Sequence, residues 1–178
     1  MKPHLVLLSD LWGAQQSDWW ALYTTLLSPF FELSWLDSCA LAAINTMPYT
    51  QEHLHQQFVN GGIDQAVAAL VRKSKEWPAT CTILAFSVGG TIAWKAIQAG
   101  LNVNQFFAVS ATRLRYEEVP LSVDGGLWYG SEDKFRPSAE WLAQQQLSIK
   151  ILAKYGHKCY QHKLIAQSIA EQIISHIR

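Results

Sequence analysis

Three things are scarce in this sequence. The first is surplus charge. Fourteen Lys and Arg face fourteen Asp and Glu in 178 residues, so the formal net charge is zero. Phosphate backbones are held by a basic excess, and this chain has none to offer a nucleic acid. The second is a long apolar run. Nothing approaches the roughly 20 residues of a membrane span. The N-terminal stretch Leu5-Val6-Leu7-Leu8 stops at Ser9-Asp10, too short for a secretory h-region. The third is paired cysteine. Cys39, Cys81 and Cys159 are odd in number and widely spaced. A disulfide framework and a thiolate metal site are both unexpected, and three packed free thiols in a reducing cytoplasm are expected.

Cofactor signatures are missing too. There is no HExxH, no P-loop lysine and no GxGxxG after a strand. His53 and His55 are two apart and do not share a helix face. No metal and no cofactor are expected.

What is present is core-forming material. Apolar residues make up 49% and charged residues 16%, far from a disordered composition. At this length one domain spanning residues 1–178 is expected, with a sizeable core. No repeat, low-complexity tract or linker divides it.

Short apolar runs alternate with amphipathic stretches. Leu5 to Leu8, Thr82 to Phe86 and Phe106 to Val109 read as strands buried on both faces. Further strands are predicted at Phe31 to Leu36 and Gly126 to Tyr129, and Ser148 to Leu152 alternates like an edge strand. Helices are predicted from Ser17, as cap, to Leu27, and from Gln51 to Glu76 with Gly61-Gly62 weakening the middle. Others run from Thr91 to Ala99, closed by Gly100, and from Ser138 to Gln146, behind a first-turn Pro137. The last carries Ile165, Ile169, Ile173 and Ile177 on one face. This alternation predicts a three-layer α/β/α sandwich on a mainly parallel sheet of about six strands. Ligands of such sheets bind beyond the carboxyl ends of the strands.

Three loops at those ends carry chemistry. Ile83-Leu84-Ala85-Phe86-Ser87-Val88-Gly89-Gly90-Thr91 is a strand that turns abruptly into a helix at Ser87. Such a turn crowds the backbone on either side of its apex, and Ala85 and Gly89 supply the small residues it needs. The new helix points its free N–H groups at the same spot. A serine cap or an anion nest would look similar. Leu127-Trp128-Tyr129-Gly130-Ser131-Glu132-Asp133 is a strand, a turn and an acid. Ile151-Leu152-Ala153-Lys154-Tyr155-Gly156-His157 is a strand and a Gly-His loop. Taken singly, a turn Asp and a loop His are ordinary.

Together they place a nucleophile, an acid and a base after three strands, in the order Ser, Asp, His. That combination resembles an α/β-hydrolase over nearly the whole chain. The resemblance implies that Ser87 is the nucleophile, His157 the general base and then acid, and Asp133 the group that orients His157. Glu132 is a rival acid. His162 is a rival base, expected within the final helix. An oxyanion hole is implied from the backbone N–H of Val88 and a second N–H after the first strand, Leu11 by position, with Trp12 next. The family usually has His-Gly there; this chain has Ser9-Asp10-Leu11-Trp12-Gly13. A carboxylate aimed at an oxyanion would oppose it, unless Asp10 turns away and braces the loop. By this resemblance, the first strand is expected to correspond to the family's third. Only Ala111 to Ser122 joins the strands where a lid is often inserted, so a lidless, open site without a cap domain is expected.

The resemblance implies a serine hydrolase of carboxylesterase or thioesterase type, cleaving a small ester or thioester through an acyl-enzyme. The alternative is a non-catalytic small-molecule or anion-binding protein on the same scaffold. Eight Trp is a high count. Trp12, with Trp19, Trp20 and Trp128, either forms an acyl pocket or simply fills core. Arg113 and Arg115 either hold a substrate carboxylate or phosphate or pair with Glu117 and Glu118. The expected partner is a small-molecule acyl substrate.

Overall fold

The computed structural model describes residues 2–78 and 81–177. Six strands form one sheet, all neighbours parallel, in the order β2-β1-β3-β4-β5-β6. The strands are β1 (His4–Leu8), β2 (Glu32–Leu36), β3 (Cys81–Phe86), β4 (Gln105–Val109), β5 (Asp124–Gly130) and β6 (Ser148–Leu152). Every residue of β1 and β3 is buried, as a strand covered on both faces requires. β6 lies at the edge and Ile151 is exposed on it.

Helices α1 (Trp20–Leu27) and α7 (Lys163–Ser175) cover one face. There Tyr23, Leu27, Ile165, Ile169 and Ile173 pack on Leu5, Leu7, Leu84 and Phe107. The stripe of isoleucines points to the sheet as expected, except Ile177, which lies beyond the helix and is exposed. The other face carries α2 (Ser38–Leu41), α4 (Ile63–Lys73), α5 (Val88–Gln98) and α6 (Ala139–Ala143). Among the described residues no helix is long and apolar enough to cross a membrane.

Four helix boundaries differ from the sequence reading. Ser17 does not cap α1: its hydroxyl donates to Ala14 O, and Trp19 occupies the cap position without a side-chain hydrogen bond. The stretch 51–76 is not one helix. It breaks into α3 (Gln51–Gln57), a wide turn at Phe58–Gly62 and α4, because Gly61 takes φ 108°. Thr91 is not the start of α5, which begins at Val88, immediately after Ser87. Pro137 stands before α6 rather than in its first turn, and Ser138 caps the helix by accepting the Trp141 N–H.

The chain runs from β1 outward to β2, then returns to place β3 on the other side of β1. The carboxyl ends of β1 and β3 thus flank the point where strand order reverses, the usual place for a ligand crevice.

Candidate active site

The site is assembled at that point around Ser87. Its backbone has φ 52° and ψ −120°, a left-handed strain that a non-glycine residue adopts only where its surroundings impose it. Those surroundings are explicit. Ser87 N–H donates to Val109 O at 3.0 Å, and Thr112 N–H donates back to Ser87 O at 3.2 Å. Thr91 Oγ1 donates to Thr112 O. The turn needs its glycines for close approach. A Cβ on Gly89 would lie 2.4 Å from Ser9 O, and one on Gly90 2.5 Å from the Ala111 Cβ.

Ser87 Oγ lies 2.9 Å from His157 Nε2. His157 Nδ1 lies 3.0 Å from Asp133 Oδ2, and the other carboxylate oxygen accepts the Phe135 N–H at 2.9 Å. The Asp133 side chain is fully buried, whereas His157 keeps one edge open. Phe135 meets the imidazole edge-on, with ring centroids 5.2 Å apart. Gly130 lets the acid loop and the base loop meet, since a Cβ there would fall 2.1 Å from Tyr155 O. The structure therefore brings together the three side chains singled out by chain order. The two rivals stand apart. Glu132 is exposed. His162 precedes α7 instead of lying within it, and packs on Tyr155.

The Asp10 side chain makes no hydrogen bond to Ser87 among the described residues. It is 1% exposed; its Oδ1 accepts the Trp12 N–H at 3.0 Å and its Oδ2 the Tyr160 hydroxyl at 2.9 Å. Burial raises its pKa above the ordinary carboxylate range, and the two hydrogen bonds with Tyr160 and Trp12 oppose that rise. Tyr160 belongs to the same short 3-10 turn as His157. Asp10 thus ties the loop after β1 to the turn that carries the imidazole. The same contact occupies the Trp12 N–H. Among the described residues the N–H groups of Leu11 and Val88 have no backbone or side-chain acceptor. At Val88 the reason is general: a first-turn amide has no partner within its own helix.

A cavity of about 120 Å³ opens over Ser87. Leu11, Trp12, Val88, Phe58, Ile63 and Phe135 contribute apolar surface to its wall. No cap domain interrupts the chain between β4 and β5, as expected from its length. A segment outside that stretch nevertheless walls part of the expected open, lidless site. The segment from α3 through the wide turn to α4, between β2 and β3, supplies Gln51, His55, Phe58, Val59 and Ile63 to the cavity wall. A signal existed in Gly61-Gly62, where a long amphipathic pattern had to break. The pattern alone could not say that the break folds over the serine.

Of the tryptophans, Trp12 lines the cavity, with Tyr49 packed against it. Trp19, Trp20 and Trp128 instead belong to the core on the α1/α7 face. Arg113 and Arg115 both line the cavity. Neither pairs with Glu117 or Glu118. Glu117 is engaged by Lys95 at 3.1 Å, and the two guanidiniums lie 5.0 and 4.5 Å from the Tyr116 ring centroid. Among the described residues no group of three or more His, Cys, Asp or Glu is arranged to hold a metal ion. Cys39, Cys81 and Cys159 are free and buried.

No protein-family model and no curated protein matches this sequence. Solved structures do match its fold. A protein of the α/β superfamily from Xanthomonas campestris superposes with a TM-score of 0.69 at 14% identity, over 98% of this chain and 99% of its own. The mouse α/β hydrolase domain-containing protein 10 gives a TM-score of 0.73 at 9% identity, covering 99% of this chain and 90% of its own. The RedJ thioesterase of prodiginine biosynthesis in Streptomyces coelicolor gives 0.65 at 8% identity, over 97% and 84%. Strand order, the turn at Ser87 and these superpositions agree: the chain has the α/β-hydrolase fold.

Proposed function

We propose that this protein is a serine hydrolase that cleaves a small ester or thioester through an acyl-enzyme on Ser87. The observation that carries the reading is the unbroken relay from Ser87 Oγ to His157 Nε2 at 2.9 Å and from His157 Nδ1 to Asp133 at 3.0 Å. A serine hydroxyl is a weak nucleophile at neutral pH and needs such a base. Ser87 Oγ attacks the substrate carbonyl while Nε2 takes its proton. The tetrahedral oxyanion is met by the N–H groups of Val88 and Leu11, the two free amides beside the serine. Collapse expels the alkoxide or thiolate, which receives the proton from His157. Water, deprotonated by the same imidazole, then attacks the acyl-enzyme and releases a carboxylic acid and free Ser87. Asp133 holds the Nδ1–H tautomer and stabilises the imidazolium. Each oxyanion donor is worth about 3 kcal/mol in such steps.

Asp10 favours turnover over mere binding, because its carboxylate is engaged by Tyr160 and Trp12 and not aimed at the oxyanion. Thioester cleavage is compatible with the fold, since RedJ, a thioesterase, shares it. A reducing compartment such as the cytoplasm suits three buried free thiols.

The test is labelling with a fluorophosphonate probe and peptide mapping. Covalent mass on Ser87, absent from Ser87→Ala and lost in His157→Ala, is expected. Folded protein that takes no label at high probe concentration overturns the reading and leaves a binding protein on a hydrolase scaffold.

A further inference from the structure

The cavity wall is electrostatically one-sided. Arg113, Arg115 and Lys158 all line it. Its one acid among the described residues is Asp10, and both oxygens of that carboxylate already accept hydrogen bonds, from the Trp12 N–H and the Tyr160 hydroxyl. None of the three cations forms an ion pair with an acid among the described residues, although Lys158 lies close enough to Asp10 for the two charges to attract. Arg115 is held in place by donating to Phe135 O and to the Tyr116 hydroxyl. Arg113 and Lys158 make no side-chain hydrogen bond among the described residues. Arg113 packs on the Tyr116 ring, and Lys158 Nζ stands 5.8 Å from the Trp12 ring centroid. Arg113 also has φ 61°, a strained conformation for a residue with a long side chain.

A near-neutral chain that gathers three unpaired cations around one small cavity repels them from each other unless an anion visits. The deep part of the cavity is apolar, formed by the buried Phe58, Ile63 and Val88. Lys158 is exposed and the two arginines are half-buried, so the positive charge lies toward the mouth. An acyl chain fits the apolar part; whatever leaves with the oxygen or sulfur faces the cations.

Resting on the serine-hydrolase reading above, we propose that the substrate is a short-chain acyl ester or thioester whose leaving group carries a carboxylate or phosphate close to the scissile bond. Arg113, Arg115 and Lys158 form the subsite that receives it. The departing group already bears its charge, so the step needs no co-reactant: the acyl C–O or C–S bond breaks and His157 returns the proton to the leaving atom.

Three butyryl esters test this, with glycolate, 2-hydroxyethyl phosphate or neutral ethylene glycol as leaving group. The ratio of kcat/KM for an anionic ester to that for the neutral one is expected to exceed about tenfold, the worth of one charge-assisted contact. It is expected to fall toward one in Arg113→Gln/Lys158→Gln and to recover in part in Arg113→Lys. The glycolate and phosphate arms show which anion the subsite takes. A wild-type ratio near one, or a ratio untouched by the double substitution, overturns the subsite while Ser87 labelling still supports the hydrolase. Binding of glycolate and of 2-hydroxyethyl phosphate to Ser87→Ala is followed separately by NMR titration. Binding that is weakened by Arg113→Gln sustains the subsite even where no label reaches Ser87, and no binding of either anion overturns it.

Discussion

The two sides of the cavity over Ser87 are built in different ways. On the strand side, Ser87, Asp133 and His157 stand on loops that leave β3, β5 and β6, and backbone hydrogen bonds lock each loop to its neighbours. On the opposite side, the wall comes from α3, the wide turn at Phe58–Gly62 and the start of α4, a single excursion of chain between β2 and β3. The first side is dictated by the sheet. The second is held by side chains, chiefly Phe58, 1% exposed, and Ile63, 7% exposed, packed into the core of the α4/α5 face. The proposed relay therefore stands on backbone that hydrogen bonds between neighbouring strands and loops hold in place. On that proposal, substrate choice falls to the side-chain-built wall, the part that sequence change alters most cheaply.

The largest expected effects fall on the strand side. Ser87→Ala, or Asp133→Asn with its altered histidine tautomer, is expected to lower kcat about 10⁴-fold with little change in KM for the butyryl esters. A loss below tenfold would remove the relay from the mechanism. Phe58→Ala tests the other wall. Losing a buried phenyl ring costs about 3 kcal/mol of stability. Here it is also expected to raise KM for short acyl chains while Ser87 keeps its fluorophosphonate reactivity. Denaturant melts and steady-state kinetics on one preparation separate the two consequences.

A smaller contrast uses two glycines. In Gly130→Ala the added methyl meets the backbone oxygen of Tyr155 at 2.1 Å, so the acid and base loops must part. About 2 kcal/mol of stability and most of kcat are expected to go together. In Gly61→Ala nothing lies within 4 Å and the cost is only the strain of φ 108°, about 1 kcal/mol. The drop in Tm is expected without the collapse in kcat. Equal kinetic damage from both would erase the distinction between the walls.

The smallest effect concerns Asp10, which ties the loop after β1 to the turn that carries His157. Its folded pKa is raised by burial above the unfolded value of 3.8. Between those two pH values the native state holds a proton that the unfolded chain has released, so stability falls as pH rises through that window. Asp10→Asn keeps an oxygen to accept the Trp12 N–H, reverses the other bond so that its amide donates to the Tyr160 hydroxyl oxygen, and removes the titration. Its urea midpoint is expected to be flat across that window, where wild type declines. An identical decline in the variant would assign the pH dependence to other groups.

Much of this was legible beforehand because it is periodic or local. Leu5 to Leu8 and Thr82 to Phe86 had to be doubly covered strands because they have no polar face. Ala85, Ser87, Gly89 and Gly90 announced the sharp turn because only small residues fit one. The order of Ser87, Asp133 and His157 followed from the loops they occupy. What was missed is non-local. The Gly61 break was visible, but its position over the serine depends on how α4 packs on α5. Glu117 stood closer in sequence to Arg113 and Arg115 than to Lys95, yet α5 brings Lys95 to it. Trp12, Trp19 and Trp20 looked alike in sequence, yet the first lines the cavity and the other two fill core.

The amino-acid sequence by itself determined the layers, the parallel sheet and the three residues at its carboxyl edge. Hydrophobic period and tight-turn sterics act over a few residues and leave their mark there. The tertiary structure alone decided that Asp10 accepts the hydroxyl of Tyr160, 150 residues away. It also decided that three cations share one cavity. Burial and charge balance are set by neighbours that only folding supplies.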